Sequence, residues 1–112
     1  AHVRLCSIMR KAGYDVNLQD VNFDQLSDDA AYELIKLLAQ KSEKIRKACE
    51  TDEPCELAQY SLDIAGAAHK FIHDDRVLGS AEEKSRLFLV KCTQIVLEDV
   101  LVLLGLFPVR NM

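Results

Sequence analysis

A chain of 112 residues, 49% hydrophobic but only 6% aromatic, has enough apolar material for one domain with a modest core. Four Gly, two Pro and no Trp argue against a turn-rich sandwich or barrel and favour helices. The formal charge of -4 excludes a nucleic-acid grip built on bulk positive charge. Either the partner is not nucleic acid, or the contact is small and specific, or the main phosphate grip lies in another part of a larger polypeptide.

The first predicted helix covers Ala1 to Gly13. Val3, Leu5, Cys6, Ile8, Met9 and Ala12 form an apolar stripe, with Arg4, Ser7 and Lys11 on the other side. Gly13 ends it. No cap precedes residue 1, so the chain reads as a piece of a longer protein. Tyr14 to Leu26 is rich in Asn and Asp and reads as an ordered loop packed by Val16, Leu18 and Phe23.

Ser27 caps the second helix, with Asp28 and Asp29 complementing its N-terminal dipole. Tyr32, Leu34, Ile35, Leu37 and Leu38 are its expected buried face. The pattern breaks near Gln40-Lys41, and a short third helix runs to about Glu50. There Lys41, Lys44, Arg46 and Lys47 form a basic cluster interspersed with Glu43 and Glu50. A solvated face with i,i+4 pairs is the plain reading, and a phosphate contact is the alternative.

Asp52-Glu53-Pro54 starts a fourth helix. Leu57, Ser61, Ile64, Ala65, Ala68, Phe71 and Ile72 repeat at helical intervals up to about His73. Gly66 inside it costs up to about 1 kcal/mol relative to Ala, which implies a close-packed neighbour. Asp74 to Gly79 is a turn, with Val77 and Leu78 folding onto the core. Ser80-Ala81-Glu82-Glu83 reads as a capping box for the last helix, which runs to about Leu104. Lys84, Lys91, Gln94 and Glu98 share one polar face, and Val100 to Leu104 should be buried on every side. Gly105 is placed to cap, and Pro108 stops any continuation. This long apolar helix is the expected centre of the fold.

The sequence carries few recognisable motifs. There is no Gly-rich phosphate loop, no G-x-S-x-G elbow and no HExxH. No apolar run is long enough to span a bilayer, and no secretory signal opens the chain. Cys6, Cys49, Cys55 and Cys92 show no zinc spacing and read as reduced thiols of a cytosolic protein. His69 and His73 stand at i,i+4, a spacing that suits zinc, but a surface or partner-facing pair is the simpler reading. Arg4 alone reads as a surface charge, and Phe71 and Ile72 as core. The tail Phe107 to Met112 either frays or packs back and presents Met112 as a soft surface for a ring. From its residues, then, the chain is a cytoplasmic, non-catalytic helical bundle and a fragment of something larger.

Several blocks carry a resemblance. Ala1-His2-Val3-Arg4-Leu5-Cys6-Ser7-Ile8-Met9-Arg10-Lys11 resembles the Ala-His-x-Arg helix that opens the C-terminal domain of arginyl-tRNA synthetases. Tyr60 to Phe71, Arg76-Val77-Leu78, and Arg86-Leu87-x-Leu89 through Leu106 resemble the later helices and turn of that domain. Pro108 to Met112 resembles its Pro-x-x-Met ending, with one extra residue. The resemblance covers nearly the whole chain, 1–112, as a single domain.

It implies an all-α bundle of about five helices, the anticodon-binding or DALR domain of class Ia synthetases. The parent would be an arginine–tRNA ligase using ATP and Mg, with its catalytic domain elsewhere in the same chain and no cofactor in this part. The partner would be arginine tRNA, bound at the anticodon stem-loop, with no membrane or DNA involved. By position, Arg4, Phe71, Ile72 and Met112 match residues near the anticodon, with Ile72 standing where the family has Tyr. Lys11, Lys70 and Arg76 are implied as phosphate contacts. Weak tRNA binding by this part alone is expected. Two other readings remain: the related domain of another class I synthetase such as cysteinyl-tRNA synthetase, and a helical protein–protein interaction module docking through Val100 to Met112. The Ala-His-x-Arg opening favours the arginyl family. Met112 packed beside Arg4 would favour RNA, and an exposed tail would favour docking.

Overall fold

The computed structural model describes residues 2–74 and 77–106. Among these residues five α-helices follow one another: α1 (His2–Ala12), α2 (Asp29–Leu38), α3 (Lys41–Thr51), α4 (Cys55–Asp74) and α5 (Glu83–Leu104). Two short 3-10 turns, Leu18–Asp20 and Phe23–Leu26, shape the strap between α1 and α2. No strand occurs among the described residues, so the fold is all-α as expected. No helix among them is long and apolar enough to cross a membrane.

α5 is the centre. It packs against α1, α2, α4 and both turns of the strap. Leu87, Val90, Leu97 and Val100 are its buried face, meeting Leu5, Leu34, Leu57, Ile64 and Phe71 in one core. The break at residues 39–40 separates α2 from α3 where the pattern changes. Tyr60 of α4 secures that break. Its ring is fully buried, and its hydroxyl donates to the Leu37 carbonyl at 2.5 Å, near the end of α2 where helix carbonyls run out of partners. Burial pushes this phenol up to about 12.

Helix starts and stops differ from the expected pattern in detail. α2 is capped by Asp28, whose carboxylate accepts from the Ala31 amide at 3.3 Å. Ser27 instead donates to the Asp24 carbonyl at 2.9 Å and closes the turn before it. Asp52 ends α3 rather than opening α4. It sits in the left-handed region at φ 53°, which a short polar side chain tolerates, and its amide bonds to Ala48. The capping box at Ser80 does not form. The Glu83 carboxylate accepts from the Gly79 amide at 2.8 Å and from the Tyr14 hydroxyl, while Ser80 donates to the Val77 carbonyl at 3.0 Å. Gly105 closes α5 in the right-handed region, at φ -68°, so its freedom of backbone is not used.

Several expectations about faces and packing are also corrected. Val100 to Leu104 is not buried all round: Val100 is, but Leu101 and Val102 are 47% and 67% exposed. The cause is helical geometry: successive residues turn by about 100°, so with Leu97 and Val100 facing the core, Leu101 falls at the edge of that face and Val102 points away from it. α1 runs antiparallel to α5, with Tyr14 at Glu83 and Cys6 at Gln94. The polar stripe of α5 is not a solvent face either. Lys91 reaches Asp15 and the Val16 carbonyl, Gln94 donates to the Cys6 sulfur at 3.1 Å, and only Lys84 and Glu98 of the four are exposed. The strap is packed by Val16 and Leu26, whereas Leu18 and Phe23 point outward. Gly66 has no close neighbour among the described residues: a Cβ there would meet nothing within 4 Å.

Candidate nucleic-acid interface

One flank of α1 is held by α5 and the other faces a cleft. Leu5 is buried, and Cys6 and Met9 are half-buried on the packed side. The open side carries Val3, Arg4, Ser7, Ile8 and Lys11, and Ile72, Val77 and Leu78 form the opposite wall of a cleft of about 710 Å³. Positions 4, 7, 8 and 11 fall on one helical face because they are three, four and seven apart. Arg4 and Lys11 therefore stand two turns apart, about 10 Å along the axis. Both are exposed, and among the described residues neither meets a carboxylate.

The chemistry of this cleft is mixed. Its aliphatic wall (Ile8, Ile72, Val77, Leu78) suits the face of a planar ring, the Ser7 hydroxyl can donate or accept, and a cation marks each end. An unstacked base with its neighbouring phosphates needs that combination: apolar area for the ring, and a guanidinium that stacks or donates along an edge. A regular duplex, which offers mainly phosphates, would not need the aliphatic wall.

The structure brings together Arg4, Lys11 and Ile72 from the expected residues. Phe71 departs from the expectation. It is fully buried, so its ring offers no face to a base and serves to fix the end of α4 beside Ile72. Lys70 is exposed on α4 and does not line the cleft. Arg76 and Met112, with the rest of the tail from Phe107, lie outside the described residues. Val77 and Leu78, which the sequence pattern assigns to the core, also wall the cleft. The available signal was Ile8, which shares the face of Arg4, Ser7 and Lys11 although it is apolar.

Other candidates resolve into ordinary roles. Arg46 holds Glu43 and, at 2.7 Å, Glu50; Lys47 holds Glu56 at 3.0 Å, and Lys41 holds Asp99 at 2.5 Å. The basic cluster of α3 is thus largely neutralised. His69 and His73 are exposed, with His73 3.5 Å from Asp74. No group of three or more potential metal ligands gathers among the described residues. No disulfide joins any of the four cysteines, and burial raises the Cys92 thiol above its usual range. A smaller groove of about 310 Å³ lies between α3 and the end of α5, lined by Lys41, Ile45, Asp99, Val102 and Leu103.

Comparison with known proteins bears on this arrangement. The family model of the DALR anticodon binding domain matches residues 1–112. Similar curated proteins include arginine–tRNA ligases from Desulfitobacterium hafniense (40% identical over 119 residues), Methanosphaera stadtmanae (38% over 106) and Bacillus pumilus (33% over 118). These alignments cover 100%, 95% and 100% of this chain, and 21%, 19% and 21% of those proteins. The chain therefore spans about a fifth of the length of the relatives it matches. No solved structure matches it. Matched by the family model from its first residue to its last, the chain belongs to the DALR anticodon-binding domain family.

Proposed function

We propose that this domain binds the anticodon stem-loop of arginine tRNA in the cleft between α1 and the end of α4, as one part of an arginine–tRNA ligase. The observation that carries the reading is the pairing of two cations, Arg4 and Lys11, with an aliphatic wall in one open cleft of an otherwise acidic domain. Arg4 would contact an unstacked base, Ile8 and Ile72 would lie under its ring, and Lys11 would meet a phosphate. Arg76 and Met112 keep their roles as candidates carried over from the family pattern. Arginylation, with its ATP and Mg, would belong to the remaining four-fifths of the ligase, as would most of the phosphate grip. The site of action on this reading is the cytoplasm.

The test is a titration of the full-length ligase against arginine tRNA stem-loops with matched and altered anticodons, over a salt series, with Arg4→Ala in parallel. Affinity that drops both with the altered anticodon and with Arg4→Ala supports base recognition at this cleft. Equal binding to every stem-loop, falling steeply with salt, reduces the contact to phosphates alone. A second reading has its own observation: Leu101 and Val102, exposed beside the groove between α3 and α5, would suit a helical docking surface for another protein. Loss of function on Val102→Asp, with tRNA binding intact, would favour it.

A further inference from the structure

We infer that Lys91 of α5 is a positioning residue for the cleft: it holds the junction that follows α1 and keeps Asp15 away from Lys11. The inference rests on reading the cleft as the RNA site. Lys91 is the cation of α5 that reaches across to this junction, beside the Glu83 carboxylate that accepts from Tyr14. Its ammonium donates to the Asp15 carboxylate at 2.8 Å and to the Val16 carbonyl at 3.0 Å. Both acceptors lie just past the end of α1, where Gly13 turns the chain at φ 75°. Val16 is fully buried beneath them, so the ammonium and the apolar anchor act on the same two residues.

Three further bonds hold the same element. Tyr14 donates to Glu83, Asn22 donates to Ser85, and Ser85 donates to Gln25 at 2.8 Å. Higher up, Gln94 donates to Cys6. All of these fix α1 and the strap from the α5 side. On its other side α1 borders the open cleft, so these α5 contacts, together with Leu5 in the shared core, help to set its distance from Ile72 and Leu78.

The charge arrangement adds a second consequence. Asp15 stands four residues after Lys11, the spacing at which a helical pair would form. α1 stops at Ala12, and Lys91 takes the carboxylate instead, so Lys11 keeps its charge for an incoming phosphate. Without the Lys91 ammonium, the nearest cation in sequence for Asp15 is Lys11.

The experiment uses the full-length ligase and measures affinity for matched and altered anticodon stem-loops. The variants are Lys91→Met, Lys91→Arg, Asp15→Asn and, as site controls, Arg4→Ala and Lys11→Ala. Lys91→Met keeps the aliphatic stem. It should weaken matched binding by about 2-fold to 30-fold, the range typical of residues that act through a packed neighbour. It should also shrink the ratio between matched and altered stem-loops, which a mere loss of folded protein would leave unchanged. Lys91→Arg should restore both. Asp15→Asn, a change at an exposed position, tests the same clamp if Lys91→Met folds poorly, and should narrow the ratio in smaller measure. Unchanged affinity and ratio in Lys91→Met or Asp15→Asn, with Arg4→Ala still weakening binding, would overturn the inference and leave the site reading intact. Unchanged binding in Arg4→Ala and Lys11→Ala as well would overturn both.

Discussion

Two sets of basic residues look alike in the sequence and differ in space. On α3, Lys41, Arg46 and Lys47 each hold a carboxylate, and Arg46 holds two. On α1, Arg4 and Lys11 stand over an open cleft, and among the described residues neither meets one. Counting cations would rank α3 first. The spacing of nearby acids decides otherwise: Arg46 has Glu43 three residues before it and Glu50 four after, while Arg4 has Ser7 and Ile8 at those distances. A positive residue is available to a phosphate only if its own helix has not already supplied the counter-charge.

The largest expected effect tests that contrast directly. Arg4→Ala should cost about 1–3 kcal/mol of anticodon stem-loop binding, as for a side chain that reads a base edge. Arg46→Ala, assayed alongside, should leave binding unchanged. The reverse order would mean that α3 faces the RNA after all. Next comes Gly66→Ala, which should raise thermal stability by up to about 1 kcal/mol, because the position is helical and open on its outer side. If the same change weakened RNA binding, the outer face of α4 would have to join the interface, and α1 would not act alone.

Smaller effects follow. Lys11→Ala should weaken all stem-loops alike and lower the slope of log affinity against log salt by about 1. Arg46→Ala should change stability by no more than a few tenths of a kcal/mol, since both of its partners are exposed. The pH response should be slight and confined to acid. The hydrogen bond from Lys91, then that from the Val16 amide, holds Asp15 below the usual carboxylate range, and the Gly79 amide, then Tyr14, does the same for Glu83. Lowered folded values mean that the stabilisation is present above the unfolded value of about 4 and lost as pH falls through the folded ones. A thermal melt series should therefore be flat from neutrality down to about pH 5 and decline below about pH 4.

Helix existence and type were legible because the apolar spacing over α2, α4 and α5 is long and regular. Where a polar side chain would go was less legible. Lys91 and Gln94 obey the same periodicity as solvated residues, and only the return of the strap and the packing of α1 across α5 give them partners. Glu83 could serve Ser80 or Gly79 at nearly the same cost, and the Tyr14 hydroxyl is present only in the folded chain to favour the second. The exposure of Leu101 and Val102 was equally hidden: an apolar run states that burial is available, not that a neighbour covers every face. As for the site, Arg4 and Lys11 were visible as a polar face, while the wall opposite depended on where residues 77 and 78 fold back.

One bond described above makes the strap optically readable. The chain has three Tyr and no Trp, so tyrosine emission is the only intrinsic aromatic fluorescence it offers beyond weak Phe. Tyr14 is hydrogen-bonded to a carboxylate, an arrangement that quenches an excited phenol by drawing off its proton, whereas Tyr60 bonds a neutral carbonyl from within the core. Detaching the strap should brighten Tyr14 while leaving the core signal unchanged. Compared with a Tyr14→Phe blank, the difference emission of this domain becomes a direct gauge of how firmly the end of α1 is fastened.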